Sequence, residues 1–286
     1  MADLSSVRAT PWQPSWSKTI GSRVTYPLIL LLNRPKFAWF GRLAYSFALA
    51  CNGVAIAFPG RHGLTASEER FLKRQAGRLQ NGVVLDVGAN GGAYLMLVRT
   101  FAPGARIFAF EPHPVTFAHL SANVSQISGA ELINKAVGET PGCVELYDFA
   151  CRDGSTQASI QKAVLSLFTP ELAVHRVQCT TIDQFAEERR LERIDFLKID
   201  TEGNDLAVLR GARRMLDGKK IRMIQFEFIP ENVASGVRML DFLRILAEYK
   251  VYRMCLNGDL LPLGDYDVKQ HEIYGTQNLV AMLREP

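Results

Sequence analysis

Within seven residues, Asp86-Val87-Gly88-Ala89-Asn90-Gly91-Gly92 holds an acid and a glycine-rich loop. Such a loop between a strand and a helix lets a ligand approach the backbone closely, because no Cβ intervenes. A dinucleotide would lay its pyrophosphate on the helix N-terminus and ask for the spacing G-x-G-x-x-G. The spacing here is G-x-x-G-G, and a carboxylate two residues before the first glycine would repel a pyrophosphate. That carboxylate suits a cation such as the α-ammonium of a methionine moiety, directly or through water. The residues therefore point towards S-adenosylmethionine and away from NAD(P). Glu111 follows Gly92 by 19 residues. An acid there can accept hydrogen bonds from both ribose hydroxyls.

A second cluster is Lys198-Ile199-Asp200-Thr201-Glu202-Gly203, with Glu227 further on. Methyl transfer from a sulfonium is an in-line displacement, so positioning of the two reactants supplies much of the rate. An alcohol acceptor must also lose its proton, and a carboxylate whose pKa is raised by burial can take it. Asp200 and Glu202 are the expected catalytic residues. The competing reading has both merely capping the next helix and binding cofactor. Asp200, Glu202 and Glu227 could also hold Mg²⁺, but no spacing rule singles out a metal, so none is expected. His113, His175 and His271 are weaker candidate bases. Lys198 is expected to be structural or salt-bridged. Tyr147, Phe149 and Phe168 are candidates for an acceptor wall.

The elements that position these groups alternate between strand and helix. Thr65-Ala66-Ser67-Glu68 is a capping box that opens a helix through Leu79. Strands are expected at 83–87 and 106–110, with a helix at 93–101 between them. A third strand is expected over 131–137, and others over 195–200, 221–228 and 251–256. A helix carries Leu206, Leu209 and Leu216 on one face, and another Met239, Phe242, Leu243 and Leu246. Residues 143–181 read as an inserted antiparallel hairpin, and 278–283 as a final antiparallel strand at or near an edge. This is an α/β chain with a doubly wound, mostly parallel sheet.

In order along the chain, DVGANGG, FAFEPHP, NKAVGE, FLKIDTEG, VLRGA and QFEF resemble the FkbM-type methyltransferases. The resemblance covers about residues 82–230. It implies a class I Rossmann-like fold and S-adenosylmethionine-dependent O-methylation of hydroxyls on polyketides, sugars or other secondary metabolites. The family pattern carries over to Asp86, Gly88, Asn90 and Gly92 in the loop and to Glu111 at the ribose. Asn90 stands where many class I methyltransferases have a second glycine, which is usual for this family. His113 departs from the common asparagine. The full set expected around the cofactor is Asp86, Gly88, Ala89, Asn90, Gly92, Glu111, Pro112, Ala136 and Asp200.

Composition narrows the alternatives. The net charge of +4 resides in residues 1–36, where Arg8, Lys18, Arg23, Arg34 and Lys36 oppose Asp3 alone. The remainder is neutral, so a nucleic-acid partner is not expected. Five cysteines without CxxC pairing suggest neither disulfides nor zinc and fit a reducing, cytoplasmic setting. Residues 1–62 read as a helical extension and 63–286 as the methyltransferase domain. The apolar runs 24–32 and 43–59 are each shorter than the ~20 residues of a spanning helix. They read either as a lid packed on the domain or as a peripheral membrane contact through 24–59. The expected function is O-methylation of a hydroxyl on a small metabolite or sugar. Competing readings are an NAD(P)-dependent oxidoreductase and a non-catalytic, membrane-associated binding module.

Overall fold

The computed structural model describes residues 20–61, 64–151, 153–166 and 168–284. Eleven strands occur among them: β1 (Val83–Val87), β2 (Arg106–Phe110), β3 (Ala130–Ile133), β4 (Ala136–Val137), β5 (Gly142–Phe149), β6 (Leu172–Thr180), β7 (Phe196–Ile199), β8 (Met223–Phe228), β9 (Tyr249–Met254), β10 (Leu260–Pro262) and β11 (Gln277–Leu283). Eight form one sheet in the order β10-β9-β11-β8-β7-β1-β2-β3. β1 pairs in parallel with β2 and β7, and β7 with β8. β11 is antiparallel to both its neighbours. The sequence grows from β1 towards β3 and then returns to build outwards from β7. The switch point is therefore the β1–β7 boundary, where ligands of open α/β sheets bind beyond the carboxyl ends of the strands.

Period-2 alternation divides the core between the two faces. Leu85, Val87, Phe108, Phe110, Leu197 and Ile199 face the helices Ile182–Glu188, Asp205–Arg210 and Met239–Ile245. Val84, Ile107, Ala109 and Phe196 face the helices Ala66–Leu79 and Ala93–Phe101. The first of these last two begins with the expected capping box: Thr65 accepts from the Glu68 N–H, and Glu68 Oε2 accepts from the Thr65 N–H at 2.9 Å. A smaller sheet, ordered β4-β6-β5, is the expected insertion, with β5 and β6 antiparallel.

Two expectations need correction. The single strand over 131–137 is two, because the chain leaves β2 after Ile133 and pairs with β6 from Ala136. The helix carrying Leu206 and Leu216 breaks into Asp205–Arg210 and Arg213–Asp217. Gly211 lies against Gly138, where a Cβ would come within 2.0 Å of the Gly138 carbonyl oxygen. β11, antiparallel as expected and placed at or near an edge, lies third from it, between β8 and β9, with the short β10 at the edge itself.

The N-terminal apolar runs form helices Ile20–Leu32 and Ala38–Cys51, joined through Pro35–Phe37. Between residues 25 and 52 no side chain is buried. No helix among the described residues is long and apolar enough to cross a membrane. The expected boundary at 62/63 falls outside the described residues.

Candidate active site

The glycine loop joins β1 to the helix Ala93–Phe101. Gly88 has φ +81°, and a Cβ there would come within 1.8 Å of the Asp200 carbonyl oxygen. Only glycine allows the loop and the end of β7 to approach this closely. Gly92 has φ +89° and opens the helix, with Leu120 and Val124 where a side chain would stand. Asn90 is also left-handed (φ +48°), a conformation asparagine tolerates better than most residues.

Beyond the ends of β1, β2 and β7 lies a crevice. Gly88, Asn90, Glu111, Pro112, Ala136, Asp200 and Glu202 all line it. Ala89 and Gly92 do not; they shape the turn behind it. The insertion supplies the opposite wall through Leu146, Ser155, Thr156, Ala158, Ser159 and Ile160. The insertion expected to form an acceptor wall does line the crevice, but Tyr147, Phe149 and Phe168 are not among its lining residues. Leu146 and Asp148 are the inward residues of β5, while Tyr147 and Phe149 alternate to its other face. Phe168 is exposed, with its ring 6.4 Å from that of Phe149.

Glu111 is nearly buried at the end of β2. One carboxylate oxygen accepts from the Asn90 N–H at 3.0 Å and the other from the His113 N–H at 2.8 Å. Each oxygen keeps a further lone pair for a ligand hydroxyl. Burial pushes this carboxyl up to about 7, against the lowering effect of the two N–H groups. The glycine loop and the ribose-type acid are thus tied together directly.

Asp86 is placed differently from expectation. It is fully buried on the sheet face under helices Ala66–Leu79 and Ala93–Phe101, and it does not line the crevice. Parity explains this: Val87 and Leu85 face one layer, so Asp86 faces the other. Its register partner in β7 is Lys198, whose Nζ lies 3.5 Å from Asp86 Oδ1 and 3.1 Å from Asp200 Oδ2. Burial raises the Asp86 pKa despite the ammonium. Burial pulls Lys198 down, but Asp200, Asp86 and Glu68 together more than reverse it, so this lysine stays charged. The salt-bridged role expected of Lys198 is the one observed.

Asp200, Glu202, Asp205 and Glu227 gather acid at the ends of β7 and β8. Glu202 has φ +51°, and burial, then Asp200 and Glu231, raises its carboxyl to about 8. Asp205 accepts from the Thr201 N–H, the Thr201 hydroxyl and the Glu227 N–H, and burial still lifts it to about 6. Glu227 is pushed well up by burial and by Asp200, but it lies outside the crevice lining. Such a cluster favours a cation, which stabilises the ionised form of every carboxyl nearby.

The histidines play other parts. His113 is buried, and its Nε2 lies 3.0 Å from Asp153 Oδ1 and 3.5 Å from Asp148 Oδ2. His175 Nε2 lies 2.7 Å from the same Asp153 oxygen. These contacts tie the insertion to the end of β2. Asp148 also accepts from the Gly154 and Ser155 N–H groups at 2.8 Å and from the Ser155 hydroxyl, which shapes the loop lining the crevice. No spacing signal linked Asp148 and Asp153 to His113 beforehand. His271 is held between Asp267 and Leu263 and is structural.

A doubly wound sheet, a glycine loop at its switch point and an acid at the end of the next strand define a class I Rossmann-like methyltransferase. The sequence model of a family described as Methyltransferase FkbM domain matches residues 86–254, and the chain belongs to that family. The 2-O-methyltransferase NoeI of Sinorhizobium fredii is 24% identical over 191 residues, covering 63% of this chain and 78% of that protein. The 31-O-demethyl-FK506 methyltransferase FkbM of Streptomyces tacrolimicus is 27% identical over 219 residues, covering 65% of this chain and 82% of that protein. Among solved structures, the N-terminal domain of human METTL16 aligns over 84% of this chain and 79% of its own, with 12% identity and a TM-score of 0.44.

Proposed function

We propose that this protein transfers a methyl group from S-adenosylmethionine to a hydroxyl of a small metabolite or sugar. The observation that carries the reading is Glu111, fixed by two backbone N–H groups beside the Gly88 loop and opening on the same crevice as Asp200 and Glu202. The relatives' names add support: besides the two above, a hexuronic acid methyltransferase of Haloferax volcanii is 23% identical over 173 residues, 60% of this chain and 64% of that protein.

S-adenosylmethionine, when bound, supplies a methyl group on a cationic sulfur. Glu111 accepts hydrogen bonds from the ribose, and Gly88 and Asn90 offer backbone without side-chain obstruction. Asp200 and Glu202 face the cofactor's positive charge, which favours the carboxylate form of Glu202. Glu202 in its carboxylate form then takes the proton of the acceptor hydroxyl. Leu146, Ala158 and Ile160 exclude water and hold the acceptor oxygen in line, where positioning supplies much of the rate. The glycine spacing and the acid cluster both disfavour a pyrophosphate, which argues against the oxidoreductase reading.

Titration of the purified protein with S-adenosylhomocysteine, beside NAD, tests the cofactor. Transfer of labelled methyl to a panel of hydroxylated sugars and polyketides tests the reaction. Micromolar binding of the first ligand and none of NAD is expected. A folded protein that ignores S-adenosylhomocysteine overturns the reading.

A further inference from the structure

From Leu4 to Ser67 the sequence contains no aspartate or glutamate, while Arg8, Lys18, Arg23, Arg34, Lys36, Arg42 and Arg61 are basic. With Asp3 counted, residues 1–67 carry +6 of a chain total of +4, leaving −2 on everything after them. All three tryptophans of the chain, Trp12, Trp16 and Trp39, lie here too. The structure adds what the segment does with its apolar residues. Tyr26, Leu28, Ile29, Leu30 and Leu31 on one helix and Trp39, Phe40, Leu43, Tyr45 and Phe47 on the other are all exposed, Phe47 at 69%. Helices that expose this many large apolar side chains call for a buried or lipid environment to receive them. Contiguous exposed apolar surface of this kind marks an interaction site.

We propose that the hairpin of residues 25–51 docks the enzyme on an anionic lipid surface, inserting its apolar side chains at the interface without spanning. Helices of 13 and 14 residues are about 20 Å long, too short for the ~30 Å hydrocarbon core. Arg34 and Lys36 occupy the turn between them, so insertion tip-first would bury two charges. Lying in the plane instead keeps both among the headgroups, where anionic lipid attracts them. Tryptophan and tyrosine are the side chains that favour that depth. A second copy of the chain fits less well, since symmetric pairing would bring one acid-free basic segment against another.

The hairpin also leaves the domain at an informative place. Val54 is fully buried, the Ala55 N–H donates to the Thr276 carbonyl at 2.8 Å, and Gly53 lies against Met254. Thr276 precedes Gln277, which pairs with Phe228 at the carboxyl end of β8, and Met254 ends β9. The hairpin therefore springs from the sheet edge on which Gly88, Glu111 and Asp200 stand. Docking therefore brings the lipid surface to the same edge of the sheet as the crevice.

Co-sedimentation of the full chain with vesicles decides the matter. Neutral phosphatidylcholine vesicles are compared with vesicles carrying about one-third phosphatidylglycerol, at about 0.05 M and about 0.5 M salt. At least about tenfold tighter binding to the anionic vesicles is expected, weakened by the higher salt. Arg34→Gln/Lys36→Gln/Arg42→Gln removes the preference for anionic lipid, and Leu28→Ser/Leu43→Ser/Phe47→Ser abolishes binding, both with unchanged thermal melting. In a Trp12→Phe/Trp16→Phe background, Trp39 fluorescence shifts to the blue and is quenched by brominated acyl chains. Absence of sedimentation with either vesicle overturns the proposal. So does self-association that shields Trp39 from brominated lipid, which would assign the face to a second copy. Neither outcome bears on methyl transfer, which is read separately with a soluble acceptor.

Discussion

Asp86 and Lys198 stand opposite one another in adjacent parallel strands, their charged ends 3.5 Å apart and both nearly or wholly shielded from water. Lys198 reaches on to Asp200 at 3.1 Å and to the Gly88 carbonyl at 3.3 Å. One ammonium thus links a core acid, the glycine loop and a crevice carboxylate. Asp86 stands behind the crevice lining and is joined to it through Lys198. Lys198→Met leaves a buried acid without its partner, and losses of that kind run to about 3–5 kcal/mol. Chemical denaturation should show a loss of this order, with much of it recovered in Lys198→Met/Asp86→Leu. A single variant as stable as the wild type would refute the coupling.

The acid cluster makes the ligand-free protein sensitive to base. Burial holds Glu111 at about 7, Glu202 at about 8 and Asp205 at about 6. The unfolded values lie near ~4. Between about pH 4 and 8 the folded chain therefore holds more protons than the unfolded one, and stability falls as pH rises. Thermal melting should occur on the order of 5 °C lower at about pH 8.5 than at about pH 6. S-adenosylhomocysteine should narrow the gap, since its ammonium favours the ionised carboxyls.

Glu111→Gln keeps the shape but removes one of the two acceptor oxygens that hold the Asn90 and His113 N–H groups. A buried N–H without a partner costs about 1–3 kcal/mol. Calorimetry should give at least about tenfold weaker S-adenosylhomocysteine binding, with wild-type affinity rising through about pH 7 and the variant's staying flat.

Glu202→Gln tests the proton acceptor. General-base loss commonly costs about 10²–10⁴ in rate. The wild-type rate should climb with pH towards a plateau, with a midpoint at or below about 8 because bound cofactor lowers the pKa. The variant should lose that limb while S-adenosylhomocysteine affinity changes little. An unchanged profile would return Glu202 to a structural role and leave Asp200 as the candidate.

Asp148→Ala removes the acceptor of the Gly154 and Ser155 N–H groups and strips a charge from beside buried His113. The loop carrying Ser155 and Thr156 should loosen, raising KM for acceptor or cofactor more than it lowers kcat. Steady-state kinetics separates the two.

Much of the frame was legible because local rules suffice for it. Buried parallel strands announce themselves as β-branched apolar runs, so β1, β2 and β7 were found within a residue or so. The Thr65 capping box reads directly from four residues. Gly88, Asn90, Glu111, Asp200 and Glu202, singled out because loop geometry and strand ends restrict residue type locally, come together along one crevice. Tyr147 and Phe149 fall outside the crevice lining because β5 turns Leu146 and Asp148 inward, a parity that aromaticity alone does not reveal. The splitting of residues 131–137 between two sheets escaped notice because each half reads as strand.

What the sequence by itself determined is the class of chemistry: a glycine loop of the wrong spacing for pyrophosphate, an acid 19 residues on, and motifs in family order. These are local demands that only certain residues meet. The partnerships were decided by tertiary structure alone. Lys198 meets Asp86 across 112 residues of chain, and Asp148 and Asp153 meet His113 because β5 and its following loop fold back over β2. Register, crossover and burial set those distances, and no one-dimensional pattern encodes which strand, helix or loop a given side chain finally meets.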